Sequence, residues 1–95
     1  MQTLNDKTAQ SIAIAALQYL AGDDDLLMRF SALTGILPND IRAAAAQPGF
    51  LVGVLDFFLS HEPDLLAWTT AHNINPEQAI AARHTLAPND AGGFE

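Results

Sequence analysis

Residues 12–47 read IAIAALQYLAGDDDLLMRFSALTGILPNDIRAAAAQ, and residues 50–85 read FLVGVLDFFLSHEPDLLAWTTAHNINPEQAIAARHT. The two stretches align without a gap at a constant offset of 38 positions. The identical pairs are Leu17 with Leu55, Leu27 with Leu65, Ile36 with Ile74, Pro38 with Pro76, and Ala43-Ala44 with Ala81-Ala82. A helix-ending residue followed by a helix-starting proline recurs in step in both stretches. This pattern predicts a pseudo-duplicated three-helix unit.

The spacing of apolar residues predicts helices only. Alanine and leucine recur at intervals of three and four, and the alternation typical of strands is absent. Gly35 and Asn73 are placed to take the left-handed conformation that closes a helix. Four of the five prolines fall where a helix starts, and there the missing N–H costs nothing. We therefore expect an all-α fold, a compact bundle of six short helices beginning near Asp6, Asp23, Pro38, Pro48, Pro63 and Pro76.

Residues 50–59 are apolar on nearly every side, which is typical of a helix in the middle of a bundle. The fourth helix has one narrow edge of small or polar residues, formed by Gly49, Gly53, Asp56 and Ser60. At the same offset the first helix has an equivalent edge, formed by Ser11, Ala15, Gln18 and Gly22. We expect the bundle to pack around these two helices. Each edge is a candidate partner surface, because small residues at helical spacing let another helix approach closely.

Length and composition predict a single all-helical domain over residues 1–87 and a disordered tail over residues 88–95. Cysteine is absent from the sequence, which excludes disulfides and thiolate chemistry. Four basic residues against eleven acidic ones give a net charge of −7, and this balance argues against a nucleic-acid partner and an anionic membrane surface. With neither a membrane-spanning run nor a signal peptide pattern, we expect a cytoplasmic protein.

The acidic residues have a structural interpretation that is stronger than a metal site. Asp23-Asp24-Asp25 lacks the glycine and glutamate spacing of a calcium loop. Eight of the eleven acids fall in or near the first turn of a predicted helix, where the helix dipole stabilises a carboxylate by about 0.3–1 kcal/mol. These eight are Asp6, Asp23, Asp24, Asp25, Asp40, Glu62, Asp64 and Glu77. We expect no bound metal and no cofactor.

Other candidates for chemistry are few. Asp56 lies in the middle of an apolar helix, where it acts as a general base, marks the solvent edge of the helix or pairs with an arginine. His61, His72 and His84 lack the one-turn spacing of a zinc pair, and the serines and glycines form neither a nucleophile elbow nor a phosphate loop. Phe30 and Trp68, which are equivalent in the two stretches, are predicted to be core aromatics. We expect no enzymatic activity.

The segments Leu26–Phe30, Leu33–Gly35 with Pro38, Phe50–Leu59 and Pro76–Gln78 resemble a small family of uncharacterised alphaproteobacterial proteins. The resemblance covers residues 8–87 and implies a domain of unknown function. Because the family has no assigned catalytic or binding residues, it implies none for this chain.

Three functions remain open on the sequence alone. The first is a small acidic protein-interaction module, adaptor or regulatory, that binds another protein through a helix face. The second is a small-ligand-binding protein or an enzyme that uses Asp56 or a histidine in a core pocket. The third is a self-associating structural protein, because the sequence does not separate a partner surface from a homodimer surface.

Overall fold

The computed structural model describes residues 4–87. Six α-helices and one 3₁₀ turn make up this part of the chain, with no strand among them: α1 (Asp6–Ala21), α2 (Asp24–Thr34), the 3₁₀ turn (Pro38–Asp40), α3 (Ile41–Ala44), α4 (Pro48–Leu59), α5 (Glu62–Ala71) and α6 (Pro76–Leu86). The all-α prediction is therefore confirmed. No helix in residues 4–87 combines the length and the apolarity needed to cross a membrane.

Side chains just before the helices set where they begin. The Oδ1 atom of Asn5 accepts a hydrogen bond from the Thr8 backbone N–H at 2.7 Å, and Asp23 caps α2 in the same way. Asn75 and Gln78 form a reciprocal capping box at the start of α6. Prolines lie in the first turns of α4, α5 and α6, and Pro38 opens the 3₁₀ turn. Pro88 and the predicted tail over residues 88–95 lie outside the described residues.

The left-handed caps are where the sequence predicts them. Gly35 has φ +78° and Asn73 has φ +55°. At Gly35 the backbone N–H donates to the Ser31 carbonyl at 2.8 Å and ends α2. Because a positive φ is costly for most side chains, glycine and asparagine are the residues that suit these two positions.

The core is built on α4. Phe50, Val52, Val54, Leu55, Phe57 and Phe58 are all buried, and this confirms the predicted central place of the helix. Phe30 from α2 packs edge-on against Phe50 and Phe57, with ring centroids 5.7 and 5.5 Å away. Trp68 from α5 is fully buried, and its ring centroid lies 5.1 Å from that of Phe58. Burying a phenylalanine side chain contributes about 1.5–3 kcal/mol, so this aromatic cluster contributes substantially to the stability of the fold.

The helices pack around three central elements rather than the two expected. α1, α4 and α6 each contact the other two, and the most extensive interface joins α1 to α6. α2 packs on α1, and α5 packs on α4 and α6. The central place of α6 corrects the expectation of a bundle built around the first and fourth helices alone.

The two halves agree in some of their helix boundaries, but their third elements differ in type and length. At the offset of 38, the end of α1 matches the end of α4, and Pro38 matches Pro76, where α6 begins. The third elements differ, because a 3₁₀ turn and the four-residue α3 stand opposite the eleven-residue α6. The pseudo-duplication stays a prediction.

Candidate partner surfaces and ion pairs

The predicted edge of α4 lies open to solvent, and we call its four residues, Gly49, Gly53, Asp56 and Ser60, the α4 strip. Gly49 and Ser60 are exposed, while Gly53 and Asp56 are partly buried. At about 100° per residue the four positions fall within an arc of about 60°. A Cβ atom built on Gly49 or Gly53 meets no atom within 4 Å. The strip is therefore a narrow accessible band on a helix that is otherwise core.

The equivalent edge of α1 is also at the surface. Ser11, Gln18 and Gly22 are exposed, and Ala15 is partly buried. The opposite side of α1 carries the fully buried alanines Ala9, Ala13 and Ala16. Since both edges face outward, they do not pack against each other inside the domain.

Asp56 pairs with Arg83 of α6. The Nε atom of Arg83 donates to Oδ1 of Asp56 at 2.7 Å, and an Nη2 proton is donated to Oδ2 at 3.2 Å. Each side chain is only 11% exposed, and Nη1 of Arg83 also donates to the Ala87 carbonyl at 3.3 Å. Both carboxylate oxygens are thus engaged in a two-point ion pair, so Asp56 has the structural role and is not an open charge for orienting a basic partner.

A second charge cluster joins α2 to the start of α5, formed by Arg29, His61 and Asp64. The Oδ2 atom of Asp64 lies 2.9 Å from Nη2 of Arg29 and 2.7 Å from Nδ1 of His61. The guanidinium of Arg29 also lies over the Phe57 ring, 5.9 Å from its centroid. Arg29 therefore connects α2 with both α4 and α5, although its side chain is 46% exposed. Sequence reasoning missed this cluster because its members come from different helices.

The remaining histidines lie in unlike surroundings. His72, which follows α5, forms a T-shaped ring contact with Tyr19, with the two ring centroids 6.0 Å apart. His84 is exposed in the last turn of α6. Across residues 4–87, His, Cys, Asp and Glu side chains form no group of three or more that could hold a metal ion.

The acidic triplet acts as a helix start. Asp23 precedes α2, and its Oδ1 atom accepts hydrogen bonds from the backbone N–H groups of Asp25 at 3.0 Å and Leu26 at 3.2 Å. Asp24 and Asp25 are exposed in the first turn. All eight acids predicted near helix starts lie in a first turn or at a cap, so their predicted placement is confirmed.

Three large apolar side chains between residues 28 and 37 are highly exposed, and the sequence analysis did not predict their exposure. Met28 is 68% exposed, Leu33 is 61% exposed, and Leu37, just after α2, is 63% exposed. A helical projection of α2 accounts for Met28, which points away from Leu26 and Phe30, but not for Leu33, which lies on their side near the end of the helix. The sequence did not show which parts of α2 the other helices cover.

One of three comparisons with known proteins gives a match, and the matched region includes all six helices. No curated protein and no solved structure gives a match. A family model described as "Protein of unknown function (DUF3572)" matches residues 6–89. This match confirms the resemblance to a family of unknown function, and it extends from the start of α1 beyond the end of α6. The chain therefore belongs to the protein family DUF3572.

Proposed function

We propose that this protein is a small acidic interaction module of the cytoplasm, which binds another protein and carries out no chemistry of its own. One observation carries the proposal. α4 is core on every side but one, and on that side Gly49 and Gly53 leave the backbone uncovered. A helix of a partner can approach α4 closely at these two positions, because glycine has no side chain to keep it away.

The ion pair of Asp56 favours this proposal over an enzyme that uses Asp56 as a general base. A general base must present a free oxygen or nitrogen atom to its substrate. Both oxygens of Asp56 accept hydrogen bonds from Arg83, and the side chain is only 11% exposed. This carboxylate stabilises the contact between α4 and α6 and has no free oxygen atom to offer a substrate.

The net charge favours a different protein over a second copy of this chain. Each copy carries a formal charge of −7, and two such copies repel each other at moderate ionic strength. A homodimer through the α4 strip is the alternative, and light scattering distinguishes it by a doubled mass.

The test is Gly53→Leu, with Ala67→Leu as a matched control. Both positions lie within helices and have room or exposure for a larger side chain, so both variants should keep the far-ultraviolet circular dichroism of the native protein. We expect Gly53→Leu to lose the protein recovered from native cell extract, because the new side chain fills the strip. Ala67→Leu on α5 should retain it. Recovery of the same partner by both variants would show that the strip is only a solvated edge.

A further inference from the structure

Residues 36–47, which join α2 to α4, are attached to the rest of the domain by few side chains, and we call this segment the strap. Ile41 is the only side chain of the strap that is buried, at 8% exposure. Ile36, Ala44 and Ala45 are partly buried against the core, and the other side chains of the strap are exposed. Ile41 is therefore the main apolar anchor of the strap.

Within residues 4–87, hydrogen bonds attach the strap to the rest of the domain only at its two ends. The Ile36 N–H donates to Thr34 Oγ1 at 3.2 Å, and the Gln47 carbonyl accepts from the Phe50 N–H at 3.1 Å. No side chain of the strap forms a hydrogen bond or an ion pair within the same residues. Since the four-residue α3 is too short to be stable alone in water, the strap loses its helical turns when it leaves the domain.

The rest of the bundle does not depend on the strap for its main contacts. Neither the 3₁₀ turn nor α3 packs extensively on α1, α4 or α6. Phe30 of α2 reaches Phe50 of α4 directly, so the strap does not mediate this contact. Non-helical backbone bounds the strap, because Gly35 is left-handed and Gln47 is extended. The strap can therefore move between these two positions while the bundle stays assembled.

We propose that the strap is a conformational device, which opens from the folded domain as one unit and closes again over the core. Few buried apolar side chains and few hydrogen bonds to the rest of the fold are the features of segments that open well before global unfolding. Opening withdraws Ile41 from the apolar cluster that also contains Phe30 and Phe50, and it uncovers the place that Ile41 fills. This inference goes beyond the proposed function and does not depend on the α4 strip.

Trypsin tests the proposal, because the chain has only four basic residues and one of them, Arg42, lies in the strap. Arg29 of α2 is the matched control, since it is also exposed. The folded full-length chain should be cut after Arg42 at least about tenfold faster than after Arg29, because cleavage follows the population of the open state. Each rate is divided by that of a peptide with the same local sequence. Mass spectrometry of the first fragments measures both rates.

Two substitutions distinguish opening of the strap from global unfolding and from local fraying. Val54→Ala removes two methyl groups from the fully buried side of α4 and should speed the cut after Arg29 by at least about fivefold. It should leave the cut after Arg42 within about twofold, because Val54 stays buried when the strap opens. Ile41→Ala should speed the cut after Arg42 by at least about tenfold, because opening removes Ile41 from the core.

Hydrogen exchange tests whether the strap opens as one unit. The N–H groups of Asp40, Ala45 and Gln47 donate to carbonyls within the strap at 2.8, 2.8 and 2.9 Å. Their protection factors should agree within about threefold and lie at least about tenfold below that of Val54. A gradual fall in protection from one end of the strap to the other would indicate fraying and overturn the proposal.

Three outcomes of the trypsin experiment would also overturn it. The first is cleavage after Arg29 and Arg42 at equal normalised rates, which would mean that both bonds are cut from the globally unfolded chain. The second is faster cleavage after Arg42 in Val54→Ala, for the same reason. The third is an unchanged rate after Arg42 in Ile41→Ala, which would mean that Ile41 stays in the core when this bond is cut.

Discussion

The Asp56 carboxylate and the Arg83 guanidinium, 27 residues apart in sequence, form the most enclosed ion pair in residues 4–87. Asp56 stood out in the sequence because it is a helical acid far from any helix start. The Asp56 side chain lies at the edge of α4 that is next to α6, and from there it reaches Arg83. An arginine reaches this edge with two N–H groups at once, which a lysine does not do.

Arg83→Met should lower the free energy of unfolding by about 1–3 kcal/mol, because it leaves a mostly buried carboxylate without its partner. Urea denaturation followed by circular dichroism measures the change. Arg42→Met is the matched control, because Arg42 is exposed and makes no ion pair within residues 4–87, and it should cost under about 0.5 kcal/mol. Equal effects of the two substitutions would mean that water replaces the Asp56–Arg83 contact at little cost.

At the scale of the element, local sequence explains why α3 is short and α6 is long. α6 begins at Pro76, and α3 comes directly after the 3₁₀ turn that Pro38 opens. Residues 43–46 are four alanines, which favour helix strongly. Pro48, however, disfavours a helical conformation at Gln47, whose backbone is extended at φ −86° and ψ 133°. At the offset of 38, Leu86 stands in place of Pro48, so α6 continues to that residue.

Glycines at helix ends and inside helices should respond to alanine with opposite signs. Gly35→Ala forces a side chain into a positive φ and should destabilise the protein by about 1–2 kcal/mol. Gly53→Ala lies within α4, where a Cβ meets no atom within 4 Å, and should stabilise it by about 0.4–1 kcal/mol. Thermal unfolding of both variants measures the contrast. A stabilising effect of Gly35→Ala would contradict the left-handed cap.

At the scale of the whole molecule, the packing of α6 distinguishes the two halves. Ala79 and Ala82 of α6 are fully buried, as are Ala9, Ala13 and Ala16 of α1. Small side chains on both helices fit their extensive interface, because they let the backbones approach closely. The counterpart of Ala82 in the first half, Ala44, is only partly buried.

Ala82→Leu should therefore cost about 1–3 kcal/mol of stability, because the interior has no room for the added atoms. Ala44→Leu, the same change at the equivalent position of the first half, should cost less than about 1 kcal/mol. Chemical denaturation of the two variants gives the comparison. Equal costs would show that the two third elements are packed alike, as a strict duplication requires.

The sequence by itself determined the helical class, most of the helix ends and the aromatic core. These properties are local: Pro48 and Pro76 start helices, Gly35 and Asn73 end them, and apolar periodicity marks the buried side of each helix. It also identified the α4 strip, since residues 50–59 leave only one edge without large apolar side chains. The third helix, which the sequence predicted from Pro38, is instead a 3₁₀ turn followed by the four-residue α3.

Only the tertiary structure decided which helix covers which face. Periodicity shows that a helix has an apolar side, but the neighbour on that side depends on contacts between residues far apart in sequence. The pairing of Asp56 with Arg83 and the meeting of Arg29 and His61 at Asp64 arise in this way. So does the exposure of Met28 and Leu33, because it depends on which parts of α2 the other helices of the bundle cover.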